Sequence, residues 1–314
     1  MKWQGNPGAA GGSIWQVRRG GAGAVIALLT ALSSAAVSAQ EVPLDIGIGG
    51  ATPAVAVPAE SGGASGGSGG GGLGFGDGST PFELSAGQGI EWRESERTYT
   101  ARGNAIATQG DSSIAADKLV FYTGADDSSF ERILATGSVK VTAGSSTSYG
   151  DQGDYDAEQK LLVLTGSNLR MESEGDIITA RDRIEYWSGD KAVVAIGDAV
   201  VKRQDSEIRG DQAVLYFAAN AAGDDELSQI EASGNVKVLN NGQTILGNNF
   251  AYNPDTDIAV VTGNVLIIDG ENEYRGARAE IDNKNKVSRI LAGEGKRVHT
   301  FIKPKQSTGG GTAQ

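Results

Sequence analysis

Between Phe82 and Lys303 apolar and polar residues alternate in short runs, as in Val139-Lys140-Val141 and Val236-Lys237-Val238. A period of two places the valines on one face of a β-strand and the lysines on the other, so these strands have one dry and one wet face. Each run follows a glycine and a small polar residue: Gly103-Asn104, Gly137-Ser138, Gly166-Ser167, Gly197-Asp198, Gly234-Asn235 and Gly263-Asn264. The intervals between these glycines are 34, 29, 31, 37 and 29 residues, and a weaker seventh copy lies near Gly293 to Val298. A second beat falls between them, a small residue followed five or six positions later by an aromatic: Ala116 to Tyr122, Gly150 to Tyr155, Ala180 to Tyr186, Gly210 to Tyr216 and Gly247 to Tyr252. The glycine of the first beat supplies a positive φ or a bulge at which one strand bends into the next.

Turn signals separate the beats, among them Ala157-Glu158-Gln159-Lys160, Ser188-Gly189-Asp190, Asn240-Asn241-Gly242 and Asn253-Pro254-Asp255. Two strands per unit over six or seven units predict an all-β chain of roughly 12 to 16 strands. Helical apolar spacing is absent from this region. A repeat of this kind builds either a stacked solenoid or two facing sheets in a jelly roll. Either leaves edges, expected here near Phe82 to Glu91 and near Val287 to Phe301, with Pro304 unable to continue a ladder. In the third unit the apolar positions shift by one, to Leu169 and Met171, which implies a bulge because a one-residue slip exchanges the two faces of a strand.

The flanks obey different rules. Residues 1–39 carry Lys2, Arg18 and Arg19, no acid, an apolar run from Ala22 to Leu32 and a small-residue stretch ending Val37-Ser38-Ala39. That order is a secretory signal peptide, cleaved between Ala39 and Gln40, and its apolar run is too short to span a bilayer. Residues 40–80 are rich in Gly, Ser, Pro and Ala and read as a flexible linker. The G-x-S-x-G and G-x-G-x-x-G matches inside it neither follow a strand nor open a helix, so they carry no chemistry. Residues 81–304 form the β-domain, and 305–314 read as a disordered tail.

Composition narrows the chemistry. The 314 residues include 47 glycines, no cysteine and one histidine, with a formal net charge of -12. Disulfides, thiol nucleophiles, thiolate zinc sites and multi-histidine metal centres are excluded, and so is any cofactor that needs them. The acidic balance argues against a nucleic-acid partner. Asp126-Asp127 and Asp224-Asp225-Glu226 lack the twelve-residue spacing of a calcium loop and read as solvated turns. His299 has no sequence-level partner and reads as a strand residue. No metal site and no catalytic residue is expected.

Phe82-Glu83-Leu84-Ser85-Ala86, Tyr99-Thr100-Ala101-Arg102-Gly103-Asn104-Ala105 and Ile114-Ala115-Ala116-Asp117-Lys118-Leu119, with the recurring Gly-Asn-Val-x-Val beat, carry a family resemblance. In order and spacing, behind a signal peptide, they resemble the LptA/OstA family of periplasmic lipopolysaccharide-transport proteins, over residues 82–303. The resemblance implies an antiparallel β-jelly roll, open and taco-like, whose apolar interior shields lipopolysaccharide acyl chains. It further implies a bridge, made by edge-strand pairing and head-to-tail self-association, between inner-membrane and outer-membrane transport components of a Gram-negative envelope. The family's domain also begins an outer-membrane translocon, but no barrel-length run of strands follows here, so the free periplasmic form is expected. Relative to a minimal member the linker is long and the β-domain has extra rungs.

On that reading Val139, Val141, Val201, Val236, Val238, Val265 and Ile267, at equivalent positions of successive strands, form an inward stripe that meets acyl chains. Lys140, Lys202, Arg203 and Lys237 are candidates for a phosphate-binding rim. The competing classes are a structural or adhesive β-solenoid of the envelope without lipid transport, and an enzyme on envelope polysaccharide. The enzyme would need paired carboxylates about a glycosidic bond, and the sequence places no such pair.

Overall fold

The computed structural model describes Phe75 and residues 81–124, 129–221, 223 and 225–303. The expected signal peptide with its Ala39/Gln40 cleavage site, the 40–80 linker apart from Phe75, the Asp126-Asp127 turn, Asp224 and the 305–314 tail lie outside the described residues. All described residues fall in one compact unit, 64–314. They form eighteen strands: β1 Phe82–Ser85, β2 Gly89–Arg93, β3 Thr98–Gln109, β4 Ser112–Thr123, β5 Phe130–Ala143 and β6 Ser146–Asp156. Four short strands follow, β7 Leu161–Thr165, β8 Leu169–Ser173, β9 Asp176–Ala180 and β10 Arg183–Trp187. Long strands then resume with β11 Ala192–Arg203, β12 Ser206–Ala219, β13 Asp225–Asn240, β14 Gln243–Asn253, β15 Ile258–Asp269 and β16 Asn272–Asp282, before β17 Val287–Leu291 and β18 His299–Phe301. One 3-10 turn, Glu94–Glu96, is the sole helical element among the described residues.

Every long strand is two half-strands separated by a register shift. In β3, for example, Arg102 lies opposite Lys118 and Ala105 opposite Ala116, so two residues of one strand face one of the other. The two are Gly103 and Asn104, both at positive φ (80° and 48°), and the pair recurs as Gly137-Ser138, Gly197-Asp198, Gly234-Asn235 and Gly263-Asn264. The first-beat glycines are thus bulges that bend each strand. One half of each strand pairs only with like halves, which produces two walls joined along the line of bends. The first wall runs from β2 through β7 and β10 to β17, and the second from β1 through β8 and β9 to β18. Side chains from both walls enter one continuous apolar cluster.

The turns explain the repeat length. At the far end of the second wall consecutive strands are joined by two residues, such as Gly110-Asp111 and Asn241-Gly242, where positive φ suits tight hairpins. At the far end of the first wall the turns are longer, often four residues closed by an Asx contact. Asp156 accepts from the Gln159 N–H at 2.9 Å, Asn253 from Thr256 at 2.9 Å and Asp282 from Asn285 at 2.8 Å. The wide intervals between beats come from the six residues between β4 and β5 and from the extended β12–β13 pair, with strands of 14 and 16 residues.

The count exceeds the expected 12 to 16 because some crossings of the two walls are interrupted at the bend and register as separate strands. In the third unit β7 and β8 both pair with β6, and the three residues Gly166 to Asn168 replace the usual two. The extra residue restores the inward face, so Leu169 and Met171 are buried. β9 and β10 likewise both pair with β11. As a result the pairings close a ring of six strands, β6-β7-β10-β11-β9-β8. This ring runs along both walls between β6 and β11 and around the break in the line of bends, a departure from a simple open sheet. The expected edges are present: among the described residues β1 and β2 pair only with β3, and β17 and β18 only with β16.

Candidate functional site

Registered pairing turns the inward positions into rows that cross the whole molecule. On the second wall Ile114 lies opposite Val141, Met171 opposite Ile178, Ile178 opposite Val201 and Val201 opposite Ile208. The same row continues from Ile208 to Val238, Ile245 and Ile267, and ends toward Tyr274. Neighbouring strands are about 4.8 Å apart, so this largely aliphatic row advances in steps of that size from β4 to β16. Its one polar break on the long strands is Ser148, between Val141 and Met171.

The first wall carries an aromatic row. Trp92 lies opposite Tyr99, Tyr99 opposite Phe121, and the line continues through Ile133, Tyr155, Leu162 and Tyr186. Beyond the ring it passes Val193, Leu215 and Ile230 to Tyr252. Near the bends both walls use small residues. Val139 lies opposite Gly150, Val236 opposite Gly247 and Val265 opposite Gly276. A Cβ on Gly247 would lie 2.4 Å from Val261 Cγ1, so the converging walls leave no room there for a side chain. The interior therefore widens from small side chains at the bends to large ones farther out.

All seven residues of the expected stripe, Val139, Val141, Val201, Val236, Val238, Val265 and Ile267, are buried and lie on the second wall, none more than 5% exposed. Val141, Val201, Val238 and Ile267 share the aliphatic row, whereas Val139, Val236 and Val265 lie one step nearer the bend. Lys140, Lys202 and Lys237 occupy outward positions, each exposed. Arg203 has the inward parity of Val201, two residues before it, and sits at the hairpin end of the wall, paired with Asp176. Burial pushes the Asp176 carboxyl up, while Arg203 opposes that shift.

The outer faces are polar by design of alternation. Arg and Glu two residues apart on the same face form pairs such as Arg93–Glu91 at 2.8 Å, Arg183–Glu185 at 2.6 Å and Arg275–Glu273 at 2.9 Å. Such exposed pairs contribute little stability and serve mainly to keep the outside wet. His299 on β18 is exposed and lies opposite Arg275. No group of three acidic or histidine side chains placed to hold a metal ion occurs among the described residues.

Sequence reading missed the side chains that line the bends. Asp117, Asp151, Asp182, Asp211 and Asn248 each lie against the bend glycine of the next crossing. Asp151 accepts hydrogen bonds from the Ser167 N–H at 2.8 Å and its Oγ at 2.9 Å, which holds its carboxyl below the usual range. Asn235 Nδ2 donates to Asp211 at 3.1 Å. The signal was available: four residues after each of these side chains stands a large inward residue, Phe121, Tyr155, Tyr186, Leu215 or Tyr252.

Among the described residues no helix is long and apolar enough to cross a membrane. No curated protein matches the chain. A solved structure, the crystal structure of LptH, the LptA homologous periplasmic component of the lipopolysaccharide transport device of Pseudomonas aeruginosa, aligns at 13% identity. It covers 73% of this chain and 99% of that one, with a TM-score of 0.20. The family model described as LptA/(LptD N-terminal domain) LPS transport protein matches twice, over residues 87–187 and 182–287. These tandem matches span the two-walled domain from β2 to β17, and the chain belongs to the LptA/(LptD N-terminal domain) family of LPS transport proteins.

Proposed function

We propose that this chain is a periplasmic carrier of lipopolysaccharide that takes acyl chains between its two walls, as in an open jelly roll, and is not an enzyme. The observation that carries the reading is the aliphatic row, which runs without a charged residue from Ile114 to Tyr274. Exposing one chain of about 12 carbons to water costs on the order of 10 kcal/mol, at about 0.8 kcal/mol per methylene, so a lipid crossing an aqueous space needs continuous apolar cover. A row in register over successive strands supplies that cover in steps of about 4.8 Å. Val141, Val201, Val238 and Ile267 contact the acyl chains, with Val139, Val236 and Val265 beneath them. Arg203, at the hairpin end, meets a lipid phosphate by exchanging Asp176 for it. The edge strands β1/β2 and β17/β18 pair with neighbouring transport components or with another copy of this chain, bridging inner-membrane and outer-membrane partners.

The close burial of the stripe also fits an envelope β-scaffold that carries no cargo, and one experiment separates the two. A photoreactive residue at Val141 or Val238 is expected to crosslink to lipopolysaccharide in cells, while one at Lys140 or Lys237 is not. Crosslinks from the lysine positions alone would overturn the carrier reading.

A further inference from the structure

Phe75 is the only aromatic residue between 40 and 80, and it stands among glycines in Gly71-Gly72-Leu73-Gly74-Phe75-Gly76-Asp77-Gly78. It is nevertheless 4% exposed and belongs to the same apolar cluster as the inward rows. Its ring meets Tyr155 edge-on, with centroids 6.1 Å apart and planes at 69°. Its carbonyl oxygen accepts a hydrogen bond from Tyr155 Oη at 3.0 Å. Tyr155 lies within the aromatic row, with Ile133 on one side and Leu162 on the other, so Phe75 is seated on the interior face and away from the strand edges.

The chain length allows this. Phe82 follows Phe75 by seven residue steps, and such a connection reaches up to about 24 Å. The four strand spacings between β1 and β6 amount to about 19 Å. Phe75 takes no place in a strand ladder, and what holds it includes the ring contact and the hydrogen bond to Tyr155 and the exclusion of water from the apolar cluster. Each of these can be replaced by an entering hydrocarbon chain and a rotated Tyr155 hydroxyl.

We infer that Phe75 is an internal occupant of the cargo path, a tethered apolar side chain that holds the place of an acyl chain over Tyr155 and is displaced when lipid enters. This inference rests on the carrier reading. An occupant that must leave lowers the apparent affinity for cargo by the fraction of molecules in which the seat is free. It also keeps the aromatic row dry before cargo arrives.

The test places a photoreactive phenylalanine analogue at position 75 in the full chain and, separately, measures lipopolysaccharide binding by Phe75→Ala. Without lipid the analogue is expected to crosslink to peptides around Tyr155, and saturating lipopolysaccharide is expected to abolish that crosslink. Phe75→Ala is expected to bind lipopolysaccharide about 3- to 30-fold more tightly than the unaltered chain. If lipopolysaccharide binds, as read from crosslinking at Val141, while the position-75 crosslink persists, Phe75 is a fixed anchor and the inference fails alone. Equal or weaker binding by Phe75→Ala has the same meaning. If neither protein binds lipopolysaccharide, the carrier reading fails and takes the inference with it.

Discussion

Gly137 in β5 and Asp117 in β4 face each other across a bend so closely that a Cβ on the glycine would lie 2.2 Å from the aspartate Oδ2. The glycine also sits at φ +81°. Two separate costs therefore fall on Gly137→Ala, left-handed backbone strain and displacement of the Asp117 side chain. Gly175, at φ +89° in a tight turn, has nothing within 4 Å of its Cβ position, so Gly175→Ala meets the strain alone. Expected losses are about 1–2 kcal/mol for Gly175→Ala and about 2–4 kcal/mol for Gly137→Ala. Urea unfolding of both variants measures the difference, and adding Asp117→Ala to Gly137→Ala is expected to recover part of it. Equal losses for the two glycines would show that the close approach carries no energy.

The inward stripe could be read from alternation because each valine and its neighbouring lysine obey a period of two within one strand. Reading the second beat needed the position of the bend. Counting from the small residue led to Tyr122, which is 37% exposed, and to Tyr216, while Phe121 and Leu215 are the residues that turn inward. Counting from the side chain that opposes the bend glycine finds the inward residue in all five units; that four-residue spacing stands in the sequence, but the opposition that gives it meaning is a contact between strands. The extra residue at Gly166 to Asn168 was legible as a one-position shift, whereas the ring it creates with β9, β10 and β11 depends on pairings between distant segments. Phe75 was hidden for a different reason. A composition argument averages over a window, and one ring among glycines does not change the average.

Phe121 is fully buried, with its ring 4.9 Å from that of Phe82 and 5.2 Å from that of Phe130. Among the described residues β1 pairs with β3 alone, so much of what holds this four-residue strand is the contact of Phe82 with its aromatic neighbours. Phe121→Ala is expected to cost about 3–5 kcal/mol globally. It should also loosen β1 more than the rest, read as faster amide exchange across Phe82–Ser85 than across β4 and β5 in the same variant. Uniform acceleration would mean that β1 is held by its ladder and not by the aromatic cluster.

Burial, helped by the nearby Asp225 carboxylate, pushes the Tyr186 phenol from near 10 up to about 12. The folded protein thus holds this proton more tightly than the unfolded chain does. The stability associated with the neutral phenol is complete below pH 10 and is lost as pH rises toward 12. A shift of that size is worth on the order of 2–3 kcal/mol across the window. Stability of the unaltered chain is expected to fall more steeply between pH 10 and 12 than that of Tyr186→Phe, with parallel curves below pH 10. Parallel curves throughout would place the Tyr186 hydroxyl in contact with water.

The two ends of the walls are chemically distinct. Ile90 and Trp92 on β2 are 48% and 59% exposed, and at the far end Leu291 on β17 and Phe301 on β18 are 44% and 63% exposed. If copies of this chain join head to tail, the first end of one meets the last end of another, a heterologous contact that propagates. Concentrated protein is then expected to form a ladder of oligomers in sedimentation velocity. Trp92→Asp blocks only the first end and Leu291→Asp only the last, so each variant alone is expected to remain monomeric. An equimolar mixture still holds one intact end of each kind, and it is expected to form dimers and nothing larger. A two-fold contact between like ends gives a different pattern, because the variant with the unaltered end would dimerise alone and mixing would add no new species. The mixing experiment therefore distinguishes directional strand addition from symmetric association without requiring a structure of the assembly.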